Sequence, residues 1–310
     1  MSHGGGTRAI IAALAANLGI AVTKFIAFAL TQSSAMLAES IHSVADSGNQ
    51  ALLLIGGKRA RREATPQHPF GYGRERYIYA FIVSIILFSV GGLFALYEGY
   101  HKLADPHPIE SWQWVPIAVL VAAIVMEGFS FRTAIHESNP LRKGGTWVAF
   151  IRRSRNPELP VVLLEDAAAL IGLVFALLGV SFTLISHNGV YDGIASVLIG
   201  ALLVSVAVVL AIETKSLLIG ESATLEDVRG IEDALVDGVT IERIIHMKTL
   251  HLGPEELLVA VKVGVVADAT AQEIAVAIDE AEVRVRRAVP IARLIYIEPD
   301  IFQGARVKPK

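Results

Sequence analysis

Residues 190–212 read Val190-Tyr-Asp-Gly-Ile-Ala-Ser-Val-Leu-Ile-Gly-Ala-Leu-Leu-Val-Ser-Val-Ala-Val-Val-Leu-Ala-Ile212, with one carboxylate and no basic group. A helix rises about 1.5 Å per residue, so about 20 apolar residues cross the roughly 30 Å of a bilayer's hydrocarbon. This stretch has that length and composition. Working outward, five more stretches share it, at about 9–30, 34–57, 77–102, 113–136 and 160–186. The expected architecture is an α-helical polytopic membrane protein with six transmembrane helices. Composition points the same way: 53% of residues are hydrophobic, mean hydropathy is +0.54, and only 18% are charged, against about a quarter in soluble domains. A disordered chain is excluded, because disorder needs low hydrophobicity and high net charge. The surplus apolar surface faces lipid.

Charge divides the chain. Residues 1–212 carry 15 Lys and Arg against 13 Asp and Glu, whereas residues 213–310 carry 12 against 17. The sequence therefore predicts a membrane domain over 1–212 and a soluble domain over 213–310. Basic residues stay on the cytoplasmic side of a membrane. Arg8, the run Lys58, Arg59, Arg61, Arg62, Arg74 and Arg76, and the group Arg132, Arg142, Lys143, Arg152, Arg153 and Arg155 all fall on one side of the six-span pattern. The opposite loops, around Thr31–Ser34, Asp105–Ser111 and Ser186–Asn188, are short and polar or acidic. Both termini are expected in the cytoplasm, in a bacterial cytoplasmic (inner) membrane. Lys24 is an exception inside the first span, and it must snorkel or pair with a carboxylate. A formal net charge of −3 gives no basic face for nucleic acid. Cysteine is absent, so any metal is held by nitrogen and oxygen ligands.

The tail reads αββαβ. Thr224 caps a helix through Leu225, Val228, Ile231 and Leu235. Ile241–Leu252 and Leu257–Val265 follow as strands around Gly253-Pro254. Thr270-x-x-Glu273 forms a capping box opening a second helix, and Ala292–Ile297 makes a third strand.

Ionisable groups inside apolar spans carry the chemistry, since each costs a few kcal/mol to insert. Span 2 holds Glu39, His42 and Asp46 on one helical face, with His42 and Asp46 neighbours at i, i+4. Span 5 opens with Glu165-Asp166; adjacent residues point about 100° apart, so one faces span 2 and the other turns toward span 4 or the cytoplasmic vestibule. An imidazole with two or three carboxylates suits zinc, with manganese or iron as alternatives. Asn17 and Glu127 are candidate supporting groups, with helix packing an equal reading of Asn17. Glu98, Asp192, His101, His107 and His187 lie near outer ends, where solvation accounts for them.

Three segments carry a resemblance: Ser34-Ala-Met-Leu-Ala-Glu-Ser-Ile-His42-Ser-Val-Ala-Asp46, His68-Pro-Phe-Gly-Tyr-Gly-Arg-Glu-Arg76 and Leu164-Glu-Asp166. With six spans and an αββαβ tail, the chain resembles the cation diffusion facilitators. The loop motif and Leu218-Ile-Gly-Glu-Ser222 are similar to the branch of the mitochondrial zinc transporter ZnT-nine and its bacterial relatives. The resemblance implies a homodimeric antiporter, not an enzyme, that exports Zn2+ from the cytoplasm in exchange for protons; Mn2+, Fe2+ or Co2+ are alternative substrates. It implies His42, Asp46 and Asp166 as ligands, with Val162 where the family has a fourth and Glu165 or Glu39 available to complete the shell. It further implies a second metal site after span 2, of which His68 is matched while Tyr72 and Thr65 replace other ligands. In the metallochaperone-like cytoplasmic domain, His246 matches one zinc ligand; Lys262, Tyr296 and Glu298 stand where others would be. Dimerisation without a full zinc cluster is expected there, with His246 and His251 as solvated strand residues.

Ligand chemistry supplies a mechanism independently. Imidazole binds metal only when neutral and carboxylate only when ionised, so protons and the cation compete for one set of groups. No G-x-x-x-x-G-K-[ST] phosphate loop occurs. A non-conducting metal-binding membrane scaffold remains a different class. An intramembrane hydrolase is the weakest reading, because His136-Glu137 lacks the second His of H-E-x-x-H.

Overall fold

The computed structural model describes residues 3–109, 112–142 and 144–302, with side chains from Asn17 onward. Arg8, Lys143 and Ser111, used above to orient the chain, lie outside the described side chains. The chain forms two compact units: residues up to Arg59 together with Arg76–Lys215, and Ala60–Glu75 together with Ser216–Lys310.

The first unit is helical: α1 (His3–Thr31), α2 (Ser34–Ala60), α3 (Glu75–Ala104), α4 (Trp114–Arg142), α5 (Trp147–Arg153), α6 (Glu158–Ser186) and α7 (Val190–Ile219). Among the described residues, α3, α4, α6 and α7 are long and apolar enough to cross a membrane, and Asn17–Thr31 of α1 is a shorter apolar helix. The six-span expectation is thus met by four helices on length and apolarity. Helix α2 departs for a chemical reason, since it buries Glu39, Ser40, His42, Ser43, Ser47 and Asn49. Its polar face turns inward, which is the arrangement a polar stripe in a bundle requires. The short α5, capped by Thr146 accepting from the Ala149 amide, is too brief to show a period in sequence; it packs Phe150, Trp147 and Ile151 against Ala134 and Leu163.

Two local features set the helices around α2. In α3, Leu87–Leu93 widens into a π-turn. A Cβ at Gly92 would sit 2.6 Å from Val204 Cγ2 and 3.1 Å from the Val204 amide nitrogen, so α3 and α7 approach there as small residues allow in membrane bundles. At the start of α2, Asp192 of α7 acts as a cap donated by another helix. Its carboxylate accepts from the Ser34 amide at 2.7 Å, the Ala35 amide at 3.3 Å and the Ser33 hydroxyl at 2.7 Å. These satisfy amides that a helix N-terminus leaves without partners, and the negative charge suits the positive end of the helix. Asp192 is fully buried, which corrects the solvated role given to it from its position near a span end. Sequence distance hid the partner, which is 158 residues away.

The second unit runs α8 (Leu225–Leu235), β1 (Ile241–Gly253), β2 (Glu256–Val265), α9 (Ala271–Ala288) and β3 (Ala292–Asp300). The sheet order is β1-β2-β3, antiparallel then parallel. Its core is aliphatic: Leu257, Val259, Val261 and Val263 of β2 pack with Ile231, Leu235, Ala281 and Val285. Thr224 caps α8, and Thr270 with Glu273 completes the capping box of α9. Segment 60–75 belongs to this unit rather than to the helices it joins in sequence. The reason is steric. A Cβ at Gly73 would lie 2.8 Å from the Leu252 carbonyl and 2.9 Å from Glu256 Oε2, so the glycine of the Gly-Tyr-Gly motif seats the segment on the β1–β2 turn.

Candidate metal centre

Helix α2 brings His42 and Asp46 together one turn apart, with His42 Nε2 3.4 Å from Asp46 Oδ2. His42 is buried, and neither ring nitrogen has a hydrogen-bond partner; Asp46 Oδ1 is buried and unpartnered as well. Buried polar atoms are nearly always paired. The exceptions here fall on a set of metal-type ligands.

Helix α6 contributes the adjacent pair, and its geometry separates them. Glu165 accepts from Asn49 Nδ2 of α2 at 2.7 Å, whereas Asp166 accepts from Ser130 Oγ of α4 at 2.9 Å. The 100° offset between neighbours on a helix produces this division, so Glu165 faces span 2 and Asp166 faces span 4. Glu127 of α4 is half-buried. Asp46 lies within electrostatic range of Glu165, Glu127 and Asp166, and Glu127 within range of Asp166. Several carboxylates and one imidazole thus share a helical interior. Among the described residues, no three His, Asp or Glu side chains converge closely enough to clasp an ion in this arrangement. The groups are gathered and not closed.

Val162, at the position the resemblance assigned to a fourth ligand, is packed among apolar side chains. Asn17 Nδ2 donates to Gln50 Oε1 of α2 at 3.2 Å, a contact that joins α1 to α2. Glu39 is fully buried, one turn from His42 toward the Ser34 end, and is held by Lys24 Nζ at 3.0 Å. Lys24 is therefore a pairing lysine and does not snorkel.

His68, His246 and His251 belong to the second unit. His68 sits exposed in the 60–75 segment, its amide donating to Thr65 Oγ1 and its ring 4.7 Å from that of Tyr72. His246 is exposed on β1. With Lys262, Tyr296 and Glu298 it lines a depression on the sheet, where Lys262 Nζ pairs with Glu298 at 2.9 Å and Asp300 at 3.2 Å. One ammonium already bridges those two carboxylates. His251 is buried, not solvated, with Nδ1 3.3 Å from the Gly253 carbonyl, because β1 turns inward at its end.

Comparison with known proteins gives the family. The model of the cation efflux transmembrane domain matches residues 10–219. The human protein named proton-coupled zinc antiporter SLC30A9, mitochondrial, is 33% identical over 232 residues, which are 74% of this chain and 41% of that protein. Metal tolerance protein C4 of Arabidopsis thaliana is 29% identical over 249 residues, 80% of this chain and 54% of the relative. Metal cation efflux system protein CzcD of Cupriavidus metallidurans is 31% identical over 117 residues, 38% of this chain and 37% of the relative. The chain spans about two fifths of the length of the SLC30A9 protein it matches. An apolar helical unit carrying an inward stripe of imidazole and carboxylates, matched by that model over most of its length, makes this chain an integral membrane protein of the cation efflux family.

Proposed function

We propose that the chain exchanges a divalent cation, zinc foremost, for protons across a membrane, moving the metal out of the compartment that holds the tail. The observation that carries this reading is the set of buried polar atoms that make no hydrogen bond, His42 Nδ1 and Nε2 and Asp46 Oδ1, beside the carboxylates of Glu165 and Asp166. Leaving such groups unmet costs about 1–3 kcal/mol each, and a cation shared among them offsets that cost. His42, Asp46 and Asp166 are the ligands, with Glu165 completing the shell when α2 and α6 draw together. Nitrogen and carboxylate oxygen suit zinc and also manganese, iron and cobalt. Because the same atoms take either metal or protons, occupancy by one expels the other, and a site that opens alternately to the two sides becomes an exchanger.

The name of the human relative, a zinc antiporter coupled to protons, supports this choice of substrate and of counter-ion. The segregation of basic residues supports a cytoplasmic side for the 60–75 segment, the α4–α6 connection and both termini, with α1 and α2 completing six spans in this reading. A bacterial cytoplasmic membrane is the proposed location, and the tail is the proposed homodimer contact. The test is zinc flux in proteoliposomes under an imposed pH gradient, with manganese, iron and cobalt compared. Asp46→Ala and Asp166→Ala are expected to abolish it. Full flux in both variants would remove the site, and saturable zinc binding without flux in the unmodified chain would assign a scaffold instead.

A further inference from the structure

A lysine inside the helical unit is unusual enough to need an account. Lys24 of α1 is 3% exposed and Glu39 of α2 is 0% exposed. The ammonium donates to Glu39 Oε2 at 3.0 Å and to Ser43 Oγ at 2.8 Å. Ser43 follows His42 directly, and Glu39 precedes it by three residues, so the ammonium lies along the stripe that carries His42 and Asp46. Desolvating two charges costs several kcal/mol each, and their attraction repays this only in good geometry. A pair whose sole effect were to join α1 to α2 would be more cheaply replaced by apolar packing.

The pair is also incompletely satisfied. Glu39 Oε1 is buried with no hydrogen-bond partner. It points at α6, where a Cβ on Gly172 would come within 2.8 Å of it. Glu39 therefore uses one oxygen for the lysine and presents the other toward the helix that bears Glu165 and Asp166.

We propose that Lys24 is a tethered cation that competes with the transported metal for Glu39. A divalent ion leaving His42 and Asp46 toward the Ser34 end meets Glu39 as its next ligand, displaces the ammonium and is then driven on by the repulsion between the two positive charges. When the metal has gone, the ammonium returns to Glu39 and keeps the stripe charge-balanced without a bound ion. Lys24 thus weakens metal binding in order to speed release, and Glu39 serves as a release ligand distinct from the resting centre. This rests on the transport reading above.

The experiment is isothermal titration calorimetry of zinc into the full-length chain in nanodiscs, for the unmodified protein, Lys24→Met, Glu39→Gln, the double variant and Lys24→Arg. Lys24→Met should tighten zinc binding on the order of 10-fold by removing a like charge. Glu39→Gln should weaken it by a similar factor, since the lysine is then uncompensated. The double variant, which buries no charge at this position and so is the safest to fold, should return to within about 3-fold of the unmodified protein. Lys24→Arg should behave as the unmodified protein does. General loss of structure weakens binding in every variant, so opposite shifts separate competition from damage. Zinc affinities equal in all the variants, or weakened in all, overturn the competition while leaving the transport centre standing. Absence of saturable zinc binding in the unmodified protein overturns both.

Discussion

The two units spend their buried polar groups in opposite ways. In the helical unit Lys24, Glu39, His42, Asn49, Glu165, Asp166 and Asp192 are buried. In the tail the core of β2, α8 and α9 is aliphatic, and ions such as Lys262, Glu298, Asp300, Arg286 and Glu282 pair near the surface. The contrast teaches where to look for chemistry. A unit that faces lipid has apolar surface to spare and no need of buried ions for solubility, so those it keeps do something; a small sheet-and-helix unit is stabilised by an aliphatic core with its charges outside.

That comparison can be broken by exchanging the kinds of change each unit should fear. The largest effect is expected from Asp192→Ala, which strips the acceptor from two amides and two hydroxyls at the start of α2. It should cost about 4 kcal/mol, read as a lower unfolding temperature in detergent together with weaker zinc binding, because the helix bearing His42 and Asp46 loses its anchor. Unchanged melting would show that buried polarity in this unit is not structural at α2. Next comes Leu257→Ala in the tail core, where a fully buried side chain is removed. A loss of about 3 kcal/mol is expected, seen as faster amide exchange confined to the sheet and α9, with zinc affinity unaltered.

Smaller still is Thr270→Ala, which removes the hydroxyl that accepts from the Glu273 amide and should cost about 1 kcal/mol, visible as fraying of the first turn of α9. The least effect is a pH one. Burial pulls the Asp237 carboxyl upward, but the amides of Val239, Ile241 and Thr240, joined by Arg284, outweigh it and hold it below the ordinary range. A depressed carboxylate adds stability that is present above its unfolded value and is lost as pH falls through the folded one. Amide protection after α8 should therefore drop as pH falls below about 4, and Asp237→Asn should blunt that drop. Equal acid sensitivity in the variant would assign it to other carboxylates.

Legibility followed the range of the interaction. The i, i+4 pairing of His42 and Asp46, the divergence of Glu165 from Asp166 and the capping box of Thr270 and Glu273 are set within one or two helical turns, so residue spacing was enough to read them. Asp192 and His251 were misplaced because nothing local distinguishes a buried carboxylate near a span end, or a buried histidine at a strand end, from solvated ones. Helix α5 escaped for want of length, and the 60–75 segment joined the tail because Gly73 fits a backbone nearly two hundred residues away in sequence.

Hydrophobic runs, charge segregation and short-range spacing determined on their own that this chain enters a membrane, carries a folded tail and concentrates metal-type ligands on its second helix. Those are properties of composition and helical period, which survive without any knowledge of neighbours. Only the tertiary structure decided which ions find partners: Lys24 with Glu39, Asp192 with the start of α2, Glu165 with Asn49 and Asp166 with Ser130. Each of these contacts joins different helices, and the free energy of a buried charge depends on what lies within a few ångströms of it, which no linear order specifies.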